Sequence, residues 1–474
     1  MVFSSSIFLL YFLPLALLTY YLINPKYKNI TIVIFSLFFY AWGAPKYIFV
    51  VLFAMLADFF FAKKIHKSEG IRKKVILAIA ISLNIGFLLY FKYANFFLDN
   101  VNESLSLMGF KPFEFTRIAL PIGISFFTFH EMSYLIDVYR AKKLPLKKIT
   151  DYALYILFFP QLIAGPIIRY NEIADQIENR GQNENIDNRL TGFFRFIIGL
   201  SKKVLIANVM GEVADKVFAM PVVDLATSTA WIGVLAYTFQ IYFDFSGYSD
   251  MAIGIARMMG FKFPENFNSP YISQSVTELW RRWHMTLSRW MRDYLYFSLG
   301  GSKVNSKSRL YFNLSFVFII SGFWHGAAWN FIVWGAFHGL FLILDRLFLL
   351  KILEKIGKWP SILFTFLLTM IGWVLFRSET IGGAITYLKK MFSFNNFSFE
   401  NHFSIQFWSI LILAVLISFS TSVKFGLKLE SKLYSPKHSL IGYSIITIFC
   451  IMFLYISVGS ITSSGFNPFI YFRF

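Results

Sequence analysis

Long apolar runs alternate with short basic loops along almost the whole chain, and this pattern predicts a series of membrane-crossing helices. The runs extend over about 7–23, 30–42, 47–62, 75–91, 118–138, 154–168, 193–209, 232–259, 362–376 and 440–461. A helix needs about 20 apolar residues to cross the hydrocarbon core of a bilayer. Runs of roughly this length, repeated this often, indicate a polytopic all-α membrane protein.

The charges of the loops predict which side of the membrane each loop faces. Lysine and arginine dominate the loops at 63–74, 140–148, 351–358 and 424–437, whereas the loop at 92–117 balances its bases with acids. Cytoplasmic loops carry the excess of Lys and Arg. We therefore expect the four basic loops inside and the balanced loop outside, which places both termini on the extracytoplasmic side.

The runs between 154 and 259 must include an irregular element. Basic loops on both flanks are predicted to be cytoplasmic, yet three apolar runs lie between them. At least one run is therefore expected to be re-entrant, doubled back or horizontal. Gly165-Pro166 and the segment 244–250, with Gly247 and Gly254, are the expected breaks, because irregular backbone at membrane depth lines a cavity or is buried in protein.

Composition supports the membrane class and excludes others. Of 474 residues, 57% are hydrophobic and only 15% are charged, which is far from the usage of soluble proteins. The formal net charge of +19 resides in short loops, so it indicates orientation and not nucleic-acid binding. We interpret 1–474 as a single membrane domain whose final span and aromatic end occupy 440–474. Run 7–23 lacks the basic flank and cleavage site of a signal peptide and is expected to be retained. Cys450 is the only cysteine, so no internal disulfide forms.

Two phrases that contain histidine carry the candidate chemistry. The first, Glu278-Leu-Trp-Arg-Arg-Trp-His284, predicts an amphipathic helix in the membrane interface, with tryptophans on one face and arginines on the other. The second, Ser321-Gly-Phe-Trp-His325-Gly, is predicted to enter a new apolar run at 323–344, which also carries His338. Ionisable side chains at membrane depth are costly, so they mark functional sites by default.

Short phrases distributed over nearly the whole chain carry a family resemblance. They are Met1-Val-Phe-Ser-Ser5, Phe39-Tyr-Ala-Trp42, Phe159-Pro-Gln-Leu-Ile-Ala-Gly-Pro-Ile167, Tyr242-Phe-Asp-Phe-Ser-Gly-Tyr-Ser-Asp250, the two histidine phrases, Arg292-Asp-Tyr294, His338-Gly339 and Phe469-Ile-Tyr-Phe-Arg-Phe474. Together and in this order they resemble the membrane-bound O-acyltransferase family, of the alginate O-acetylation type. The resemblance implies a fold of about 11 to 13 transmembrane helices, with re-entrant or horizontal helices around a central tunnel.

The resemblance also implies an activity. It is the transfer of an acetyl group from a cytosolic thioester across the bacterial inner membrane, with acetyl-CoA as the expected donor and no bound cofactor. The spacing of the histidines in the sequence does not form a zinc-like cluster, so we expect no metal. The implied acceptor is an extracytoplasmic polysaccharide (alginate, another exopolysaccharide or peptidoglycan), reached through a secreted acetyltransferase partner. A more distant branch moves D-alanine onto teichoic acid. The alternative is a transporter or flippase of a lipid-linked or acylated precursor, against which the histidine phrases and the lack of an internal repeat count.

The resemblance assigns roles to side chains. It implies that His325 is the catalytic residue and that His284 lines the other end of the same tunnel. Histidine suits a general base because its unperturbed pKa of about 6.5 lies near working pH, whereas the alternative for each is a hydrogen bond to a neighbouring helix. His338 is expected to pack. The tunnel and donor-binding candidates are Trp280, Arg281, Arg282, Arg289, Arg292, Trp324 and Asn330. The arginines would bind the phosphates of coenzyme A or anionic head groups, and Trp324 and Asn330 would shape the pocket or simply fill it.

Buried polar residues elsewhere are expected to be structural. Asp244 and Asp250 lie in the run 232–259, and each is expected to pair with a base such as Arg169 or Arg257. His130 and Glu131 are likewise expected to bond neighbouring helices.

The C-terminal phrase has two interpretations. Aromatic residues anchor a helix in the membrane interface, and the sequence alone favours this one. The final span also resembles a small separate membrane peptide of the teichoic-acid branch, whose terminal tyrosine is proposed to carry the acyl group. Under this hypothesis Tyr471 receives the acetyl group with the help of His325 and a secreted partner relays it. Direct transfer and transfer through an acyl-tyrosine both stay open.

Overall fold

The computed structural model describes residues 1–393, 403–435, 437–463, 465–468 and 470, and within these it contains helices and no β-strand. The all-α fold expected from the sequence is confirmed. The chain forms two compact units. The first comprises Met1–Val2, Ile7–Glu184 and Met259–Phe263, and the second comprises Phe3–Ser6, Asn185–Met258 and Pro264–Phe474. The single-domain interpretation stays a prediction.

The helices of the first unit follow the apolar runs of the sequence. They are Phe8–Phe12, Leu13–Leu22, Lys28–Gly43, Ile48–Lys67, Gly70–Leu88, Leu89–Tyr93, Ala94–Leu107, Ile124–Tyr139, Ile149–Leu157, Phe159–Leu162 and Tyr170–Glu178. The first four predicted runs are thus helical. His130 and Glu131 are buried in the helix Ile124–Tyr139, and the His130 ring lies 5.6 Å from that of Tyr155. Their proposed bonding role stays a prediction.

Two predicted runs of the first unit are shorter or broken in the structure. The run 118–138 begins as irregular chain and becomes helical only at Ile124. Gly123 causes this, because its φ of +79° is left-handed and a Cβ there would lie 2.6 Å from the Leu162 carbonyl oxygen. The run 154–168 ends its helix at Leu157, forms one turn and continues as non-helical chain. The break expected at Gly165-Pro166 is confirmed.

The second unit carries the longer helices and the histidine phrases. Its helices are Ile186–Ser201, Lys202–Ala207, Asn208–Phe218, Thr227–Met258, Val276–Arg282, Met285–Trp290, Met291–Tyr296, Lys307–His325, Trp329–Leu344, Asp345–Leu349, Leu350–Ile356, Lys358–Arg377, Ile381–Met391, Ile405–Phe419, Lys424–Leu433 and Leu440–Ser463. We call Thr227–Met258 the long helix. Its residues are buried along most of its length, so it forms the centre of the unit.

The long helix is continuous through 244–250, so the break predicted there is wrong. Its glycines serve a different purpose, which is close approach to the helix Ile186–Ser201. A Cβ on Gly247 would lie 2.7 Å from the Gly199 carbonyl oxygen, and a Cβ on Gly254 would lie 2.6 Å from the Gly192 carbonyl oxygen. Small residues let two helix backbones pack at this distance, and the packed neighbour stabilises a helix that glycine alone would weaken.

Within the described residues, four helical segments are long and apolar enough to cross a membrane. They are Gly70–Leu107, Lys358–Arg377, Ile405–Ser422 and Leu440–Ser463. Only 11% of the most apolar window of Leu440–Ser463 is buried within the protein, against 67% for Lys358–Arg377. Exposed apolar surface of this extent suits contact with lipid. The chain is a membrane protein, and the count of about 11 to 13 crossing helices stays a prediction.

Candidate active site

His284 lies at a break in the helical chain. The predicted continuous amphipathic helix is wrong, because the helix Val276–Arg282 ends before His284 and a second helix begins at Met285. His284 has φ +42° and ψ +53°, a left-handed conformation that costs a side-chain-bearing residue about 1 to 3 kcal/mol. A neighbouring segment imposes the break. The Met285 N–H donates to the Asn266 carbonyl oxygen at 2.9 Å, and the Asn268 N–H donates to the Arg282 carbonyl oxygen at 2.9 Å.

The side chain of Asn266 fixes the tautomer of His284. The backbone N–H of Thr286 donates to Asn266 Oδ1 at 3.3 Å and the Thr286 hydroxyl at 2.8 Å, while Asn266 Nδ2 donates to the hydroxyl of Ser249 at 3.0 Å. The backbone donor identifies Oδ1 as an acceptor. His284 Nδ1, 3.0 Å away, must therefore carry the proton. Its Nε2, which has no hydrogen-bond partner among the described residues, is left as the basic nitrogen.

His325 is the last residue of the helix Lys307–His325. The prediction that it enters a new apolar run is wrong, since the next helix begins only at Trp329. Glycine permits the tight reversal. A Cβ on Gly322 would lie 2.2 Å from the Phe331 carbonyl oxygen, and one on Gly326 would lie 2.1 Å from the Phe331 ring. The two helices consequently cross in direct backbone contact beside His325.

The two histidines are neighbours. Their ring centroids lie 6.5 Å apart, and both side chains are buried, at 1% exposure for His284 and 7% for His325. The expectation that they occupy opposite ends of a tunnel is therefore wrong. The prediction failed because the helical chain breaks at Trp283–His284 and the break directs His284 into the protein interior. Trp324, a predicted pocket residue, lies beside both rings, at 4.9 Å from His325 and 6.4 Å from His284.

A small aromatic cavity adjoins His325. It has a volume of about 10 Å³ and is lined by Ile241, Phe245, Trp283, His325, Trp334, Trp373, Phe376 and Ile470. That volume is near the minimum for a single water molecule. The rings of Trp334 and Phe376 lie 5.2 and 5.3 Å from that of His325. Such walls exclude bulk water from the ring of His325.

Two further predicted residues lie beside this cavity without lining it. The His338 ring packs between Trp280 and Trp334, at 5.0 and 4.9 Å. Asn330 donates from Nδ2 to the Ser378 carbonyl oxygen at 2.7 Å, at the end of the helix Lys358–Arg377. Packing is the role these contacts support for both.

The predicted arginines do not form a single cluster. Arg282 pairs with Glu278 at 2.8 Å and Arg292 with Asp293 at 2.8 Å, while Arg289 donates to the Glu265 carbonyl oxygen at 3.0 Å. Arg281 and Arg282 line a cavity of about 530 Å³. Arg281 and Arg292 also line one of about 250 Å³, whose wall includes Trp280. Arg281 is exposed and is the arginine shared by both.

The buried aspartates are paired, but not with the predicted partners. Asp244 pairs with Lys203 at 2.9 Å. Asp250 pairs with Arg195 at 2.7 Å and with Lys202 at 2.6 Å. The lysines come from one π-helical turn, Lys202–Ala207, that follows the glycine contacts. Arg169 and Arg257 were wrong choices, because Arg169 pairs with Glu172 and Arg257 donates to Asn188.

The C-terminal segment, which the structure describes at residues 465–468 and 470, reaches the His325 cavity. Ile470 is buried and lines the His325 cavity, and its N–H donates to Asp244 Oδ2 at 2.9 Å. Tyr471, the predicted acyl carrier, lies outside the described residues.

Sequence analysis did not identify three residues of the site, which are Asn266, Lys203 and Trp334. Asn266 and Lys203 lie in phrases without a motif, and each acts on a residue distant in sequence. Trp334 looked like one of many apolar residues. A covarying pair in related sequences would have pointed to Lys203 and Asp244, whereas no local pattern marks Asn266.

Two buried histidines lie side by side in an all-helical membrane fold, an arrangement that suits proton transfer away from bulk water. The chain belongs to the membrane-bound O-acyltransferase family, whose sequence model matches residues 115–352. It is 38% identical over 491 residues to a probable alginate O-acetylase of Pseudomonas putida, with all of both chains covered. It is also 38% identical over 436 residues to a peptidoglycan O-acetyltransferase of Helicobacter pylori, which covers 84% of this chain and 81% of that one.

A teichoic acid D-alanyltransferase of Streptococcus thermophilus is similar over a shorter region. It is 30% identical over 265 residues, covering 53% of this chain and 60% of the relative. The protein is thus a membrane O-acyltransferase, as its motifs predicted, and it requires an acyl donor.

Replacement of Asn266 by leucine is expected to reduce acyl transfer by up to about 10²-fold, the effect of misplacing a reacting group by about 1 Å. The reason is that His284 loses the acceptor that fixes its tautomer and ring orientation. The measurement is the initial rate of acyl transfer by purified protein at equal folded concentration. Thr286→Val is the matched control, because it removes a different donor to the same oxygen and leaves the His284 contact. Equal rates for Asn266→Leu and wild type would rule out this role.

Proposed function

We propose that the protein transfers an acetyl group from a cytosolic thioester to an extracytoplasmic polysaccharide. Acetyl-CoA is the proposed donor, and an alginate-like exopolysaccharide or peptidoglycan is the proposed acceptor. The observation that carries the proposal is the His325 cavity, which a buried histidine and Ile470 line together. The names of the relatives, which are O-acetylases of extracytoplasmic polymers, supply the substrate class.

His325 is the proposed general base. Its imidazole takes the proton of the attacking hydroxyl as the hydroxyl oxygen forms a bond to the thioester carbonyl carbon. The carbon–sulfur bond then breaks, and the leaving thiolate takes the proton from the imidazolium. The products are an oxygen ester and a free thiol. His284, held by Asn266 with Nε2 unprotonated, is proposed to assist the same proton transfer.

The acceptor of the first transfer is proposed to be the Tyr471 hydroxyl. Tyr471 directly follows Ile470 in the sequence, and Ile470 lines the cavity of the proposed base. This adjacency supports the relay over the aromatic anchor that the sequence alone favoured. A secreted acetyltransferase then receives the acetyl group from the tyrosyl ester and passes it to the polymer. A covalent relay divides one long transfer into two shorter ones.

The donor is proposed to bind at the arginine-lined cavities. The cavity of about 530 Å³ at Arg281 and Arg282 has the size of a small-molecule site. Guanidinium groups bind phosphate through paired hydrogen bonds, which suits coenzyme A. Anionic lipid head groups would use the same contacts, so competition between acetyl-CoA and lipid at Arg281 is part of the proposal.

A donor assay separates this function from a transporter or flippase. Purified protein with acetyl-labelled acetyl-CoA should release free CoA and become labelled on its own chain. Label on an oxygen ester would be lost at alkaline pH. A transporter would release no CoA above the rate of a sample without protein, and that result would end the proposal.

The proposed orientation is testable by cysteine labelling, with Cys450→Ser as the background. We expect Ser106→Cys, in the balanced loop, to react with an impermeant thiol reagent in intact cells. Ser431→Cys, on the basic helix Lys424–Leu433, should react only after permeabilisation. Both positions are exposed, so access to the reagent depends on the side of the membrane. The reverse result would invert the proposed direction of transfer.

A further inference from the structure

The backbone of the C-terminal segment is bound by a buried ion pair. The side chains of Lys203 and Asp244 are only 3% and 2% exposed, and the ammonium lies 2.9 Å from Asp244 Oδ1. Asp244 Oδ2 accepts the Ile470 N–H at 2.9 Å. Lys203 Nζ donates to the Pro468 carbonyl oxygen. Each charge of the pair therefore contacts one backbone group of the segment, with the sign that matches it.

Neighbouring polar side chains complete this contact. Asn208 accepts from Lys203 Nζ at 2.8 Å, and its Nδ2 lies 3.4 Å from both the Phe466 carbonyl oxygen and Asn467 Oδ1. The Ser4 hydroxyl donates to Asn467 Oδ1 at 3.1 Å, and Asn467 Nδ2 donates to the Ser4 carbonyl oxygen at 2.9 Å. Residues 466–468 and 470 are thus held through three backbone groups, those of Phe466, Pro468 and Ile470, and through the side chain of Asn467.

Burial makes the pair and the segment depend on each other. Two charges removed from water are stable only when further hydrogen bonds satisfy their remaining donors and acceptors. Here the segment supplies two of those bonds, from Pro468 and Ile470. Without the segment, the ammonium and the carboxylate would each be left under-satisfied in a low-dielectric interior. The ion pair consequently binds the C-terminal segment and also links two helices.

We propose that Lys203 and Asp244 form a clamp that seats the C-terminal segment against His325, and that acyl transfer requires the seated state. Lys203 and Asp244 are positioning residues, because they bind the backbone and reach the reacting atoms only through Ile470. The inference rests on the proposed relay through Tyr471, and it adds that Lys203 and Asp244 position the segment that precedes this tyrosine. Ile470 forms part of the wall of the His325 cavity, so the seated segment would limit the access of an external acceptor to His325.

The charge-swapped variant Lys203→Asp/Asp244→Lys tests the clamp. The swap restores an ion pair between the same helices but places a carboxylate against the Pro468 carbonyl oxygen and an ammonium against the Ile470 N–H. If the pair only linked the two helices, the protein would tolerate this exchange and the charge-swapped variant would be as active as the wild type. The clamp predicts that the swap protein inserts and folds yet transfers acetyl groups about 10²-fold more slowly, as expected for a misplaced group.

Seating is measured separately through the rate at which carboxypeptidase removes C-terminal residues, followed by intact mass. Lys203→Met and the charge swap should both accelerate this removal, whereas Lys203→Arg, which keeps the positive donor, should stay near wild type. Lys202→Met is the matched control. It breaks a neighbouring buried ion pair, that of Lys202 with Asp250. Among the described residues neither side chain hydrogen-bonds to the C-terminal segment, so removal should be unchanged.

The outcomes separate the clamp from the function on which it rests. An active wild type with an equally active charge swap would overturn the clamp, as would unchanged carboxypeptidase removal in Lys203→Met. If the swap protein fails to fold, Lys203→Met and Lys203→Arg supply the same comparison. A third outcome is possible. If the wild type never acylates its own chain, but Lys203→Met still accelerates removal of the C-terminal residues, the relay is overturned and the seating of the segment stands.

Discussion

His325→Ala is expected to abolish measurable acyl transfer while the protein still inserts and folds. A general base contributes a factor of about 10² to 10⁴, and the aromatic walls of the cavity contain no other titratable side chain among the residues that line it. Water that filled the vacated space would replace the volume but would be a far weaker base. The measurement is CoA release and self-labelling from labelled acetyl-CoA, at equal amounts of protein that elutes as a single species in detergent.

A matched substitution separates loss of the base from loss of packing. His325→Phe keeps a ring against Trp334 and Phe376, so it tests chemistry with little change in volume. His338→Phe makes the same change in a ring that packs between Trp280 and Trp334. We expect the first variant to be inactive and the second to retain activity. Wild-type transfer by His325→Phe would remove His325 from the mechanism.

The sequence predicted the class of the fold better than it predicted how the histidine phrases are arranged. Apolar periodicity is a local property, and it correctly gave helices such as Lys28–Gly43 and Ile48–Lys67. The break at His284 has no local signal. It arises because Asn266, remote in the sequence, binds both the Met285 N–H and the His284 ring. A periodicity calculation continues the helix through such a point, and so it predicted one helix where the structure has two.

Glycines and buried charges illustrate the same limit. Gly247 was interpreted as a helix breaker, but the backbone of Gly199 packs against it and stabilises the helix. Asp244 was correctly expected to need a base, yet the choice of Lys203 depends on which turn of a neighbouring helix faces it. Partners across a helix pair are set by rotation and register, and loop charges or apolar runs carry no information about either.

Tyr471→Phe is expected to stop acetylation of the polymer while leaving the amount and insertion of the protein unchanged. The substitution keeps the aromatic ring, so an interfacial anchor would persist, and it deletes only the hydroxyl that the relay needs. The mutant should also lose the acetyl ester on its C-terminal peptide, which mass spectrometry of the wild-type protein should detect during turnover. The relay predicts that polymer acetylation and the acetyl ester on the C-terminal peptide are lost together, whereas an interfacial anchor predicts neither loss.

Tyr443→Phe is the matched control for that experiment. It deletes a tyrosine hydroxyl from the helix Leu440–Ser463, where Tyr443 donates to Asp187 at 2.8 Å, far along the chain from the C-terminal phrase. We expect this variant to acetylate normally. Because Ile470 lines the cavity of His325, the residue that follows it in the sequence is the proposed first acceptor, and the side chain of Tyr471 carries a hydroxyl that can form an ester. If Tyr471→Phe and Tyr443→Phe acetylate the polymer equally well, transfer is direct and the C-terminal phrase serves only as an anchor.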